Sequence, residues 1–200
     1  MTNPSARTSS PALSTPCDSI VPQPLTCPED ASARHVGSRQ ALIDNLPYMA
    51  MILLGAAILW GAVGSPFCRG FLAAGYVAYG ALGALWIMAF VCPYCHFHGT
   101  DLCPCGYGSI AAKLRSKKEC EDFPRRFKRH IPVIVPLWFL PPIVGGIAVC
   151  GEFSWILLGL MAVFVVNSYV ILPLVSKHYG CRSCPQKDTC PWMGGCRTAG

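Results

Sequence analysis

The sequence predicts an all-α membrane protein: four transmembrane helices in two hairpins, with two small cysteine-rich metal-binding segments at the cytoplasmic face. Apolar residues make up 52% of the chain and charged residues only 13%, far from the mixture of an ordinary soluble domain. Four stretches, near 46–64, 71–91, 131–149 and 153–175, reach the length of about 20 apolar residues that a bilayer core requires. None holds Asp, Glu, Lys or Arg in its interior. Cysteines gather just beyond the second and fourth stretches. A soluble core is excluded, because 200 residues lack the polar surface to cover four such helices.

Residues 1–45 are rich in Pro, Ser, Thr and Ala, show no hydrophobic period, and read as a disordered cytoplasmic tail. A cleavable signal peptide would set its apolar stretch nearer Met1, so the first span is expected to be retained. Residues 46–91 form the first hairpin and 92–130 a Cys/His cluster followed by a basic loop. Residues 131–175 form the second hairpin, and 176–200 a C-terminal cysteine cluster.

Basic residues orient the bundle. Under this topology the tail, the central loop (Lys113 to Arg129) and the C-terminal segment share one side, and Arg69 alone falls on the other. Loops this short obey the positive-inside bias, so both termini and both clusters are expected in the cytoplasm. Thiols there stay reduced, and clustered cysteines point to metal or redox chemistry rather than structural disulfides. Cys68 and Cys150 belong to the opposite turns, where they either join the hairpins or stand as small apolar residues at helix ends.

The first cluster reads Cys92-Pro-Tyr-Cys95-His96-Phe-His98, then Cys103-Pro-Cys105-Gly-Tyr-Gly108. The second reads Cys181-Arg-Ser-Cys184-Pro, then Cys190-Pro-Trp-Met-Gly-Gly-Cys196. Each opens with C-x-x-C, a spacing that lets two thiolates grip one ion, and each offers the four sulfurs of a tetrahedral zinc or an iron–sulfur cluster. Glycines at 99, 106, 108, 194 and 195 allow tight folding around such a centre. His96 and His98 are alternate ligands that favour zinc. An iron–sulfur cluster is favoured over zinc because a membrane setting gives electron transfer a use, although neither cluster has the bacterial ferredoxin spacing. The ligands either form two local sites, or Cys92 and Cys95 meet Cys181 and Cys184 in a shared one.

The basic loop is expected to anchor topology and to contact anionic headgroups, with Leu114, Phe123 and Phe127 seating it in the interface. An acidic partner protein at the cytoplasmic face is the alternative, and no nucleic-acid motif accompanies the basic run. Within the spans only Asn167 is strongly polar, which argues against ion or proton transport. Pro141 and Pro142 fall mid-span and should kink the third helix, freeing carbonyls that neighbouring helices or a lipid-like ligand must satisfy. Ala57 with Gly61, and Gly80 with Ala84, offer faces for close helix packing. His130 and His178, at the ends of the third and fourth helices, are candidates for contact with a haem or quinone. Cys17 and Cys27 are widely spaced in the tail, and Cys120 stands apart from both clusters.

Hydrolytic and phosphate-cradling motifs are missing from the sequence. The layout resembles protein palmitoyltransferases, which place a cysteine-rich, zinc-binding segment between the second and third of four spans, but the Asp-His-His-Cys motif is lacking. It also resembles membrane ferredoxin-like components of bacterial respiratory chains in topology and thiol-rich exits, although the ligand spacings differ. That resemblance implies electron transfer beside a membrane redox complex. The competing expectation is a zinc-stabilised, non-catalytic subunit or assembly factor.

Overall fold

The computed structural model describes residues 38–181, 184, 186–187 and 190–193. Two long helices, α1 (Ser38–Ala62) and α2 (Pro66–Phe90), form the first hairpin. Short helices α3 (Tyr107–Leu114) and α4 (Phe123–His130) lie in the connecting segment. The second hairpin joins α5 (Pro136–Gly151) to α6 (Trp155–Val166), which continues through a π-helical turn at Asn167–Ile171 into α7 (Leu172–Val175) and a second π turn at Ser176–Cys181. No strand occurs among the described residues. Four helical stretches, Arg39–Ala62, Pro66–Tyr94, Cys120–Gly151 and Trp155–Cys181, are long and apolar enough to cross a membrane. Only 17% of the most apolar window of the third is buried inside the protein, so most of that surface needs a non-aqueous medium to cover it.

The first helix begins at Ser38, not at 46, so residues 38–45 are helix where the sequence suggested tail. Arg39, Asp44, Asn45 and Pro47 hid this turn. Polar residues broke the apolar run, and an internal proline normally ends a helix in water. The remaining tail, with Cys17 and Cys27, lies outside the described residues.

The core forms around α1, which packs against α2, α5 and α6. Met51, Ile58 and Leu59 of α1 meet Tyr76, Leu137, Leu157 and Phe164 in one buried cluster. Glycine permits the closest approaches. A Cβ on Gly80 would stand 2.6 Å from Ile52, and one on Gly145 would stand 2.8 Å from Met161. Gly61 is different, since its added Cβ would make ordinary contact with Leu157 at 3.7 Å. Of the two small-residue faces expected, the Gly80 face is the tight one.

Neighbouring helices supply donors to the carbonyls that prolines leave bare. Pro141 has no N–H for Leu137 O, and the Tyr76 hydroxyl of α2 donates to that oxygen at 2.7 Å. Pro142 deprives Trp138 O in the same way, and Tyr169 donates to it at 3.2 Å. In the π turn the Leu172 N–H returns to Asn167 O, so Pro173 lacks the N–H that would serve Ser168 O. Trp138 Nε1 donates there at 3.3 Å. Asn167 Nδ2 donates to Pro47 O at 2.9 Å, giving the polar residue of the fourth span a structural partner.

Both cysteine segments lie at one end of this bundle, beside Asn45 of α1 and the end of α6–α7. The opposite end carries the two short connections, with Cys68 and Cys150 exposed and free. Replacing Tyr76 with Phe should destabilise the bundle by about 1–2 kcal/mol, because Leu137 O then has no donor in an apolar setting. Tyr169→Phe should cost less, since Tyr169 is half exposed. Unfolding midpoints of the two variants in detergent check this order.

Candidate metal centre

The first cysteine segment starts where α2 stops. Pro93 follows Cys92 and opens a single 3₁₀ turn, closed by the Cys95 N–H on Cys92 O at 3.0 Å. The second segment repeats the turn, with Cys184 N–H on Cys181 O at 3.2 Å. In each, the sulfur of the second cysteine accepts a backbone hydrogen bond from two residues on: Cys95 from Phe97 and Cys184 from Gln186. Such N–H donors favour a thiolate, and both halves share the same closure from the first cysteine to the second and the same N–H on the second sulfur.

Glycines shape the rest of the first segment. Gly99 (φ +76°) and Gly106 (φ +72°) take left-handed conformations that side chains disfavour. Gly108 is required for space, because an added Cβ would stand 2.5 Å from Phe97 O and 2.7 Å from Thr100 O. The early turns of α1 clasp this loop. Asn45 Nδ2 donates to Cys105 O at 2.9 Å, and the Tyr107 hydroxyl donates to Asn45 Oδ1.

One side chain staples the halves together. Gln186, beside Cys184, is buried; its Oε1 accepts the His96 N–H at 2.9 Å, and its Nε2 donates to Tyr94 O and Cys120 O at 3.3 Å each. Below the staple, Val91, Tyr94, Phe123 and Cys190 share a small apolar cluster with Phe127, Trp192 and Met193 around it. Phe123 and Phe127 of the basic loop therefore pack on the second cysteine segment, where the sequence suggested lipid. Leu114 remains half exposed.

These contacts bring the thiols into one neighbourhood. Cys95 feels the charge of Cys92, Cys184 and Cys103; Cys105 that of Cys103, Asp44, Cys92 and Cys181; and Cys184 that of Cys190 and Cys103. Burial is the main cause that pushes the thiols of Cys95, Cys105 and Cys184 above their ordinary range, with neighbouring sulfurs adding to it. Without an ion these groups are neutral at pH 7. Each described member is a free thiol, whereas Cys120 is disulfide-bonded. Cys196 lies outside the described residues. Proximity stops short of convergence, since among the described residues no three His, Cys, Asp or Glu side chains form a group able to hold a metal ion.

Asp44 is the group that sequence reading missed. Both its carboxylate oxygens are buried without a hydrogen-bond partner. It sits beside the second segment, 3.7 Å from where a Cβ on Gly180 would be, and within electrostatic reach of Cys105. A buried carboxylate without a donor is costly unless a proton or a cation accompanies it. Asp44 therefore adds an unpartnered carboxylate beside the thiols.

The histidines are used elsewhere. His98 is buried with Nε2 against Arg115 O at 3.1 Å. The His96 ring meets Phe97 edge-on, and burial, assisted by Lys117, lowers its basicity. His130 Nδ1 accepts from Trp86 Nε1 at 3.2 Å, while the exposed His178 ring lies against Tyr179. The two therefore have separate surroundings.

No family model, curated protein or solved structure matches the chain.

Gly108→Ala should destabilise the first segment by about 1–3 kcal/mol, because its new methyl meets fixed backbone oxygens. Thermal unfolding measures this. The raised thiol pKa values also set a pH dependence. An unfolded thiol ionises near pH 8.5 and a buried one later, so metal-free protein keeps this contribution below that pH and loses it above. Chelated protein should therefore show a falling melting temperature between about pH 8.5 and 10, beyond that of a variant with Cys95, Cys105 and Cys184 replaced by Ala.

Proposed function

We propose that the chain is a multi-pass membrane protein holding a thiolate metal centre, an iron–sulfur cluster by preference, that passes electrons within or beside a membrane redox complex. The ligands are drawn from Cys92, Cys95, Cys103, Cys105, Cys181, Cys184, Cys190 and Cys196. A single observation carries this reading: two matching Cys-x-x-Cys turns from opposite halves, each with an N–H on sulfur, lie in one thiol neighbourhood stapled by Gln186. Such an arrangement supports a shared centre over two separate ones. Hydrogen bonds to sulfur and partial burial are the means by which a protein tunes the potential of a cluster. A cluster there would supply one-electron transfer. The chain's own part is to hold the sulfurs, exclude water and set the centre at the end of the bundle.

Both termini and the centre are assigned to the cytoplasm on the distribution of Lys and Arg, a compartment that generally keeps thiols reduced; the described cluster cysteines are free, while Cys120 of the same segment is disulfide-bonded. A protein partner on that face would exchange electrons with the centre.

A second reading is a zinc-stabilised, non-catalytic membrane subunit that docks a partner, since paired Cys-x-x-Cys turns also suit zinc. Asp44, as an oxygen donor beside Cys105, favours it further.

Anaerobic purification decides between the two. Visible absorbance with iron and labile sulfide is the expected result; colourless protein with stoichiometric zinc supports the second reading. Cys95→Ser and Cys184→Ser should each lower metal content at least tenfold, because either half is needed. Retention of full metal by both variants would reject a shared thiolate centre.

A further inference from the structure

A cavity of about 190 Å³ opens at the end of α2, between the first Cys-x-x-Cys turn and the basic loop, with no cysteine in its lining. Its floor is formed by Phe90, Pro93 and Tyr94, and Arg115, Lys118 and Arg126 surround it. Three cations brought to one small space repel each other, and among the described residues no carboxylate pairs with any of them. Their placement is nonetheless built. The Arg115 guanidinium lies over the Phe90 ring at 5.0 Å and that of Arg126 over the Tyr94 ring at 5.1 Å. Phe90 is also stacked against His130 at 5.3 Å, and His130 is held by Trp86. The Lys118 N–H donates to Pro93 O at 2.8 Å, and Arg115 O meets His98. Stacking satisfies the faces of the two guanidiniums and leaves their N–H edges for an anion.

Depth and size narrow the anion. Phe90 closes a membrane-spanning helix, so the cavity lies where such a helix leaves hydrocarbon for headgroups. Its volume is below the roughly 300 Å³ at which drug-sized pockets begin. A tetrahedral oxyanion fits, and guanidiniums match phosphate oxygens in pairs. Ala89 and Phe90 add an apolar wall on the membrane side.

We propose that this cavity binds the phosphate of one anionic phospholipid headgroup per chain, held by Arg115 and Arg126 with Lys118 as a third charge. The site shares Pro93 and Tyr94 with the first Cys-x-x-Cys turn and uses none of the cysteines.

Native mass spectrometry of the full chain in neutral detergent tests it, with phosphatidylglycerol, phosphatidylcholine and inorganic phosphate as separate probes. One phosphatidylglycerol per chain should saturate, with phosphatidylcholine unable to replace it. Joint Arg115→Gln and Arg126→Gln substitution should weaken binding about tenfold or more. Joint Lys113→Gln and Lys128→Gln substitution removes equal charge outside the cavity and should change it less than about twofold. Should loss of the stacked arginines prevent folding, Lys118→Gln, which stacks on no ring, should still weaken binding about fivefold. Equal losses in the cavity and control variants, or adducts that never saturate at one, would overturn the site. Saturation by inorganic phosphate as tightly as by the lipid would overturn the lipid assignment and make soluble phosphate the ligand.

Discussion

Inside hydrocarbon every backbone carbonyl needs a donor from the protein itself, and the proline-bearing helices of this bundle, long and apolar enough to cross a membrane, meet that requirement. Prolines at 141, 142 and 173 each remove an N–H, and Tyr76, Tyr169 and Trp138 each return a donor from another helix. The bonds therefore tie α2 to α5, and α5 to the end of α6. A missing N–H that would be a defect in an isolated helix becomes part of the seam between hairpins. Once the seam is closed, the exits of the second and fourth spans are neighbours, and the cysteine segments that follow them meet.

How the segments meet is a matter of local chemistry. Two similar turns are held face to face by one amide side chain and a small aromatic cluster, with no ion pair at the joint among the described residues. Gln186 is well suited to this because it both accepts and donates, satisfying one N–H and two carbonyls at once. The early turns of α1 complete the enclosure through Asn45, so the site draws on three separate parts of the chain.

Much of the architecture was legible in the sequence. The four apolar runs stand out because lipid imposes a length and a composition that no soluble helix must meet, and the Cys-x-x-Cys spacing marks the turns directly. The start of α1 was not legible, because Arg39, Asp44 and Asn45 look like tail until the bonds of Asn45 to the first cysteine loop are known. Nor was Gln186, since an amide in a polar C-terminal segment gives no periodic or motif signal. Phe123 and Phe127 were read as lipid-facing from their place in a basic stretch, and only the tertiary arrangement reveals that Tyr94 and Cys190 compete for them successfully. His98 carries a contact that its nearness in sequence to cysteines did not announce, since its Nε2 lies against the Arg115 carbonyl.

The Gln186 staple also has a bearing on biogenesis. Synthesis runs from the N-terminus, so Cys92 to Cys105 emerge while the second hairpin and its closing amide are still unmade. At ordinary translation speeds the delay is on the order of ten seconds. Throughout that interval the early sulfurs have neither their opposite turn nor their full aromatic cover, and they are open to oxidation. Closure of the thiol neighbourhood is thereby linked to residues translated after the second hairpin, and a chain truncated before Gln186 would leave the early thiols uncovered.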